Sequence, residues 1–492
     1  MVFSALIFLY AFLPLCLAAY ALCRSLRAKN ICLLVFSLVF YAWGEPIYVL
    51  LLAAMALFDW FFALRAERDR ESGKSARVWV VLACVVNLGL IGFFKYSGMV
   101  CALFGDVPAF VENIALPLGI SFYTFQLLSY VIDVYRGEVR AQEKYWHVLL
   151  YAALFHQCVA GPIVRYETVA QELFVSRDGS ADRARGCTRF CVGLAKKAVL
   201  ANACGSLADT LLLTDTAIGT VSLFSENLAS LTAAPALSLW VGMLAYSFQI
   251  YFDFSAYSDM AIGMGQMVGL HYLENFDHPY VSRTATEFWR RWHMSLGTFF
   301  RDYVYIPLGG NRKGKARTAL NLLIVWALTG LWHGASWNFV LWGLYYFVLL
   351  MIDRLFWQKF LDLLPKAVSG ILSHILLPLA VLLGWVLFKF TSLPLAAAVL
   401  RGLFGLNGNT FTSFTATAEA QSHMYLLLFC AVASTPLFSF LAKRWEQAGA
   451  ESTLARKTYR VAAYGIVPIA LLLIGTACLV GNSYNPFLYF RF

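Results

Sequence analysis

Long apolar segments, many of them bounded by short basic clusters, constrain the fold of this chain more than any other feature. Hydrophobic residues make up 60% of its 492 positions and charged residues only 13%, with a mean hydropathy of +0.67. A soluble domain carries about 25% charged residues. Each apolar segment is close to the length that crosses a bilayer as a helix, so we predict an all-α, multi-pass membrane protein with roughly eleven to thirteen membrane segments.

The basic clusters predict the orientation of these segments. Arg24, Arg27 and Lys29 follow the first apolar segment, and more basic residues lie between positions 65 and 77. Basic residues favour cytoplasmic loops, so we expect the N-terminus and the tail after residue 481 to lie outside the cytoplasm. A cleaved signal peptide has its basic residues before the apolar stretch, so the first segment is expected to remain. Because the net charge of +10 is spread over such clusters, it indicates no nucleic-acid partner.

We expect one integral-membrane domain over residues 1–492, with its core at 116–345 and an outward tail at 482–492. Residues 95–113 are expected to lie at the membrane interface, and 165–189 are too polar to span. The expected membrane segments are 2–23, 31–43, 47–64, 78–94, 114–134, 146–160, 190–213, 237–269, 319–332, 337–353, 371–392, 423–442 and 460–481.

The cysteines indicate neither a disulfide framework nor a metal site. There are 11 of them, mostly inside apolar segments, and no Cys-x-x-Cys pair or Cys/His ligand spacing is present. Buried cysteine of this kind behaves as a small hydrophobic residue. We therefore predict no bound metal.

One stretch, residues 287–337, combines a basic, tryptophan-rich patch with two histidines, His293 and His333. His333 lies in an almost wholly apolar run, which we expect to break near the small residues Gly330, Gly334 and Ala335. An ionisable side chain in a membrane segment indicates a functional site, and histidine transfers protons near neutral pH. The alternative is a packing histidine that bonds a backbone carbonyl, and the residues alone do not decide between them.

Asp253 and Asp259 lie in an aromatic and apolar background. A proton-coupled transporter could use such carboxylates. We favour a structural role, in which they bond serine, tyrosine or backbone groups and fix a break in the helix.

Several longer motifs resemble one known family. They include FYAWGEP at 40–46, AGPIVRYE at 160–167, QIYFDFSAYSDMAIGMG at 249–265, EFWRRWH at 287–293 and LTGLWHGASWNFVLWG at 328–343. These segments resemble the membrane-bound O-acyltransferase (MBOAT) family, in the bacterial branch that O-acetylates exported polysaccharides such as alginate. Proteins of peptidoglycan O-acetylation and teichoic-acid D-alanylation are related to that branch.

The resemblance implies a ring of helices around a central tunnel in the bacterial cytoplasmic (inner) membrane. It implies that His333 is the catalytic base and that His293, in the Arg-Arg-Trp-His motif, assists from the cytoplasmic side. The donor would be acetyl-CoA, a substrate rather than a bound cofactor. The acetyl group would cross the membrane and modify an extracytoplasmic polysaccharide.

The basic cluster fits such a donor. Arginine pairs with phosphate in bidentate fashion, and tryptophan offers a surface for adenine or for the acyl path. Helical spacing would put Trp289, Trp292 and His293 on one helix face. The alternative is an amphipathic segment that contacts membrane lipids. The candidate donor-binding residues are Trp289, Arg290, Arg291, Trp292, Arg301 and Arg312, with Lys313 and Lys315 nearby.

The C-terminal sequence NPFLYFRF, at 485–492, resembles the aromatic tail of the small membrane partner used in teichoic-acid D-alanylation. By that resemblance Tyr489 would carry the acyl group. A phenol is a weak nucleophile at neutral pH and needs a base within hydrogen-bond reach. The alternative is an interfacial aromatic anchor.

The resemblance also implies a partner, an extracytoplasmic or membrane-anchored acetyltransferase that moves the acetyl group onto the sugar. Three alternatives stay open at this point. They are transfer of D-alanine instead of acetyl, a polytopic transporter, and a non-catalytic scaffold of a polysaccharide export complex.

Overall fold

The structure is a computed structural model that describes residues 2–177, 182–450, 452–481, 485, 487 and 488. It is helical, and no strand occurs within these residues. Seven described helices are long and apolar enough to cross a membrane, or up to nine if two bent pairs each count as one span. The protein is therefore a multi-pass membrane protein. The count is lower than eleven to thirteen because several apolar stretches form helices shorter than a bilayer requires.

The helices are numbered here in chain order. They are α1 Phe8–Leu22, α2 Leu26–Gly44, α3 Tyr48–Glu71, α4 Arg77–Phe104, α5 Ala109–Glu112, α6 Ile120–Arg136, α7 Tyr145–Ala153, α8 Tyr166–Phe174, α9 Arg183–Leu211, α10 Asp215–Gly219, α11 Val221–Ala233, α12 Ala236–Val268, α13 Ala285–Arg291, α14 Met294–Phe300, α15 Gly314–His333, α16 Trp337–Asp362, α17 Lys366–Lys389, α18 Leu393–Leu403, α19 Phe414–Ser422, α20 Met424–Ala433, α21 Leu437–Ala450 and α22 Thr453–Gly481.

Some boundaries differ from the expected ones. Helix α4 runs on to Phe104, so residues 95–104 of the expected interfacial stretch 95–113 continue the preceding helix. Helix α6 begins only at Ile120, where Gly119 adopts a left-handed backbone (φ 75°). The expected segment 423–442 is two helices, α20 and α21, bent by 58° at their junction. Hydropathy locates apolar stretches but does not reveal where the backbone turns.

The chain divides into two compact units. The first comprises Met1–Leu194, Ala256–Glu274 and Tyr464–Leu479, and the second comprises Ala195–Ser255, Asn275–Ala463 and Val480–Phe492. In the first unit α9 and α12 pack closely, because a Cβ at Gly186 would lie 2.6 Å from the Gly263 carbonyl oxygen. The single functional domain over 1–492 stays a prediction.

In the second unit α15 and α16 form a tight helical hairpin. A Cβ at Gly330 would lie 2.3 Å from the Phe339 carbonyl oxygen, and one at Gly343 would lie 2.3 Å from that of Trp326. Small residues let membrane helices approach to backbone contact. Helix α15 ends at His333 and α16 begins at Trp337. The predicted break in the apolar run is therefore confirmed.

The expected helix break at Asp253 and Asp259 is wrong. Both residues lie inside the continuous helix α12. Their partners are basic side chains on α9. The Asp259 carboxylate lies 3.0 Å from the Arg189 guanidinium in the first unit, and Asp253 lies 2.7 Å from the Lys197 ammonium in the second. Pairing between helices thus replaces the local bonds that would have opened the helix.

Candidate active site

His333 occupies the last position of α15, where the chain turns into α16. Its side chain is buried, with 5% of the residue exposed. Aromatic rings enclose it, with ring centroids 4.9 Å away for Trp332, 5.0 Å for Trp342 and 5.1 Å for Phe388. The sequence places this histidine at a helix end because Gly334 follows with an extended backbone that stops the helix.

His293 lies in a sharp turn between α13 and α14. Its backbone is left-handed (φ 46°, ψ 52°), a conformation that is uncommon for residues other than glycine. Asn275 supports the turn, since its carbonyl oxygen accepts the Met294 N–H at 2.9 Å and its side-chain oxygen accepts the Ser295 N–H at 3.1 Å. Helix α13 ends at Arg291, so the expected shared helix face of Trp289, Trp292 and His293 is wrong.

Trp332 connects the two histidines. Its ring centroid lies 5.8 Å from that of His293 and 4.9 Å from that of His333. The structure therefore brings both predicted catalytic histidines to one cluster of aromatic rings, although they are 40 positions apart in sequence. This cluster, called the aromatic wall, includes Trp332, Trp342 and Phe388. A small group that passed along this wall would meet both imidazoles.

A cavity of about 620 Å³ lies on the His293 side of this wall. It is large enough for a sizeable organic ligand, because ligand sites commonly enclose about 300–1,000 Å³. Five of the predicted site residues line it together: Trp289, Arg290, Trp292, His293 and Arg301. The cavity is therefore basic and aromatic at once.

The remaining two predicted arginines do not line this cavity. Arg291 instead pairs with Glu287 at 2.9 Å and with Asp277 at 3.5 Å. Arg312 is exposed in the turn before α15. Sequence proximity grouped these side chains with Arg290 and Arg301, but Arg291 is engaged by two carboxylates and Arg312 lies in an exposed turn.

His293 is uncharged over the whole physiological range. Only 3% of the residue is exposed. Burial penalises the imidazolium form and lowers the pKa of His293 to about 3. A neutral imidazole offers one N–H donor and one acceptor nitrogen. This suits it to polarise a carbonyl or to pass a proton, not to act as a fixed cation.

Several aromatic residues that the sequence did not single out complete the wall. The Trp289 ring lies 4.8 Å from Trp326, and the Trp292 ring lies 4.9 Å from Trp385. Trp342 packs 5.5 Å from Trp289 as well as beside His333. Their sequence signal was only tryptophan in an apolar segment, which a lipid-facing residue would also give.

Phe388 also lines a second cavity, of about 320 Å³. The same side chain contacts the His333 ring. The other residues that line this cavity include Asp215, Tyr246 and Lys389. The buried Lys389 ammonium lies 3.3 Å from both the Asp209 and the Asp215 carboxylates. The sequence signal for this cluster was a lysine at the end of the apolar segment 371–392.

The predicted carrier Tyr489 lies outside the described residues. Its neighbour Leu488 is described and is buried in the second unit. No group of three or more His, Cys, Asp or Glu side chains suited to hold a metal ion occurs in the part of the chain that the structure describes.

Comparison with known proteins identifies the class. The sequence model described as "MBOAT, membrane-bound O-acyltransferase family" matches residues 142–393, which contain both histidines. The chain is 36% identical over 523 aligned positions to the "Probable alginate O-acetylase AlgI" of Azotobacter vinelandii, with both proteins covered fully. It is 32% identical to the "Peptidoglycan O-acetyltransferase" of Helicobacter pylori, with 83% of this chain and 80% of that protein covered.

A more distant match extends over half of the chain. The "Teichoic acid D-alanyltransferase" of Bacillus subtilis is 28% identical, with 52% of this chain and 64% of that protein covered. The helical membrane fold and these relatives thus define a membrane-bound O-acyltransferase. The chain belongs to the membrane-bound O-acyltransferase family. The transporter and scaffold alternatives are set aside.

Proposed function

We propose that this enzyme passes an acetyl group from cytoplasmic acetyl-CoA across the membrane for the O-acetylation of an extracytoplasmic polysaccharide. Two relatives that match most of the chain are named for alginate or peptidoglycan O-acetylation, which supports acetyl as the acyl group. The D-alanyltransferase relative matches only half of the chain. D-Alanine transfer is therefore an outcome for the experiment to exclude.

The observation that carries the proposal is that the aromatic wall contacts both histidines and includes residues that line two cavities. On one side, the larger cavity offers Arg290, Arg301 and His293. Trp332 contacts both His293 and His333, and Phe388 contacts His333 and lines the smaller cavity. Transfer of an acyl group from one face of a membrane to the other requires a binding site for the donor, a base and a binding site for the acceptor. The larger cavity, His333 and the smaller cavity would supply these three parts.

The donor would dock in the larger cavity. Coenzyme A carries phosphate groups, and Arg290 and Arg301 are the lining side chains that can pair with them. Trp289 and Trp292 line the path along which the acyl end would reach His293. The two arginines would then account for donor affinity, and the tryptophans would exclude water from the thioester.

The transfer itself needs one base. An incoming hydroxyl oxygen attacks the thioester carbonyl carbon while His333 accepts the hydroxyl proton. The carbon–sulfur bond then breaks, and the departing thiolate takes the proton from His333 as free CoA leaves. His293, which is neutral, donates a hydrogen bond to the carbonyl oxygen as negative charge develops there. The products are an acetyl ester and CoA.

The first acceptor would be the phenol of Tyr489, close to the C-terminus, which presents the acetyl group on the outer side. An aryl ester is reactive, so it suits onward transfer to a sugar hydroxyl. A separate exported or membrane-anchored acetyltransferase would complete that step. The enzyme would sit among the lipids of a bacterial cytoplasmic membrane with its N-terminus outside the cytoplasm, as the basic loops favour.

The experiment uses purified protein in detergent with acetyl-labelled acetyl-CoA, and it follows CoA release and covalently retained label. The variants are His333→Ala, His333→Gln and Tyr489→Phe. His423→Ala is the matched control, since His423 is a half-buried histidine between α19 and α20 that lines neither cavity. A D-alanyl carrier protein, offered in parallel, tests the other acyl group.

We expect CoA release to fall about 100-fold or more in both His333 variants, because loss of a general base costs at least that factor. Retained label should disappear in Tyr489→Phe. Wild-type activity in the His333 variants would overturn the assignment of the base. Release of CoA without any retained label would contradict the proposal that Tyr489 carries the acetyl group. Activity only with the D-alanyl donor would mean that the enzyme transfers D-alanine instead of acetyl.

A further inference from the structure

A fully buried ion pair lies in the second unit, apart from the two histidines. The Lys197 ammonium on α9 is 2.7 Å from a carboxylate oxygen of Asp253 on α12, and these side chains are only 2% and 1% exposed. Burial of two charges costs several kcal/mol per ion, which their attraction only partly offsets. Such a pair is therefore weak evidence for stability, and a role beyond packing should be sought.

The chain's own C-terminal segment meets this pair. The Leu488 backbone N–H donates to the second Asp253 carboxylate oxygen at 2.8 Å. Nearby, the Asn202 side-chain amide donates to the Asn485 side-chain oxygen at 3.3 Å. Both contacts come from α9 and α12, the helices that carry the pair. Two buried polar side chains, Asp253 and Asn202, therefore bind the C-terminal segment at Leu488 and Asn485.

Apolar contacts also hold the C-terminal segment. The Phe487 ring packs 6.3 Å from that of Phe254, which adjoins Asp253 in α12. Phe487 and Leu488 are buried to 6% and 1% exposure. An aromatic tail that only anchored the protein at the membrane surface would need no buried carboxylate to receive its backbone.

We propose that Asp253 positions the C-terminal segment by accepting its backbone N–H, while Lys197 is the ion-pair partner of the same carboxylate. One carboxylate oxygen faces Lys197, and the other accepts the Leu488 N–H. Tyr489, the proposed carrier, directly follows Leu488 in the sequence. This inference rests on the proposed carrier function for its catalytic consequence. Attachment of the tail is tested separately.

Two double variants separate the pair from the tail contact. Lys197→Met with Asp253→Asn removes both charges but keeps a side-chain oxygen that can accept the Leu488 N–H. Lys197→Asp with Asp253→Lys keeps an ion pair but leaves no acceptor at position 253. Arg189→Met with Asp259→Asn is the matched control, an ion pair on the same two helices in the first unit.

The first readout is digestion of the purified proteins by a carboxypeptidase, scored by release of the C-terminal residues. We expect release about tenfold faster in the charge-swapped protein than in wild type, as the loss of a hydrogen bond to a charged group predicts. The neutral pair and the Arg189/Asp259 control should digest like wild type. Asn202→Ala, a milder change that keeps the ion pair, should give a smaller increase.

The second readout is acetyl label retained on the protein relative to CoA released. We expect this ratio to fall in the charge-swapped protein and to persist in the neutral pair. Wild-type protection of the tail in both the swapped and the Asn202→Ala proteins would overturn the inference, as would equal loss of protection in both double variants. Faster digestion of the charge-swapped protein, with no label retained even on wild type, would support the contact between Asp253 and the C-terminal segment. The same result would count against Tyr489 as the carrier.

Discussion

Gly330 lies directly against the backbone of Phe339, so that a Cβ at this position would be 2.3 Å from the Phe339 carbonyl oxygen. Backbone cannot move aside as a flexible side chain can. Gly330→Ala should therefore push α15 away from α16 and displace His333, three residues further on. We expect a loss of about 1–3 kcal/mol in stability and a clear drop in activity.

Thermal unfolding of the detergent-solubilised Gly330→Ala variant measures the first effect. Gly370→Ala is the control, because Gly370 lies within α17 and its Cβ would have only the Arg283 side chain nearby, at 3.9 Å. Alanine favours a helix over glycine, so this control should be neutral or slightly stabilising. Equal melting temperatures for the two variants would contradict the close approach of α15 and α16.

Arg290 and Arg291 are adjacent in sequence but differ in their surroundings. Arg290 lines the larger cavity, whereas Arg291 is paired with Glu287 and Asp277. Arg290→Ala should raise the KM for acetyl-CoA about tenfold with little change in kcat, as loss of one charge-assisted contact predicts. Arg291→Ala should leave the KM unchanged. Steady-state kinetics of the two variants decide it, and equal KM values would argue against donor binding in this cavity.

His293 should make stability depend on pH. Its pKa is about 3 in the folded protein because of burial, against about 6.5 when unfolded. Between these two pKa values the unfolded chain binds more protons at His293 than the folded protein does. Burial of neutral His293 therefore costs no stability above pH 6.5, and the free energy of unfolding falls as the pH is lowered from 6.5 toward 3. The limiting slope is about 1.4 kcal/mol per pH unit.

His293→Gln removes that slope. Apparent melting temperatures at pH 7.5 and 5.0 should therefore differ less for this variant than for wild type. His423→Gln, at a less buried histidine, is the control. The same shift between the two pH values in wild type and His293→Gln would mean that His293 is not buried as described.

Phe388 contacts the His333 ring and lines the smaller cavity. Phe388→Ala should admit water to the site, so that acetyl-CoA is hydrolysed several-fold faster without an acceptor. Loss of the ring should also cost about 3–5 kcal/mol of stability. Phe388→Leu, which keeps most of the volume, should show neither effect fully. Assays of CoA release at a temperature where both variants stay folded would reject this role in excluding water if the rates matched wild type.

The position of His333 was predictable because its signals are local. Small residues at Gly330, Gly334 and Ala335 interrupt an apolar run too long for one span and too short for two. The helix does end at His333. Glycine and helix length act over a few residues, so sequence alone carries this information.

The conformation of His293 was not predictable in the same way. A period of 3.6 residues placed Trp289, Trp292 and His293 on one helix face, but the helix stops at Arg291. The turn depends on Asn275, which holds Met294 and Ser295 from a distant part of the chain. A tertiary hydrogen bond overrides local helix propensity here, and a single sequence does not display it.

Charge pairs in the interior were missed for a related reason. The sequence shows Lys197, Asp253 and Lys389 as charged residues in largely apolar segments. It marks each as unusual but not its partner, because the partners lie on other helices. The sequence therefore favours a local role for Asp253 and does not reveal its contact with Leu488 near the C-terminus.

The aromatic wall has an optical consequence. Indole emission responds to the polarity and charge around the ring, and indoles of this wall line the larger cavity and contact both histidines. A ligand that enters the cavity displaces water from these rings, so its binding should change the intrinsic tryptophan fluorescence of the enzyme. The tryptophans concerned are Trp289, Trp292, Trp326, Trp332, Trp342 and Trp385.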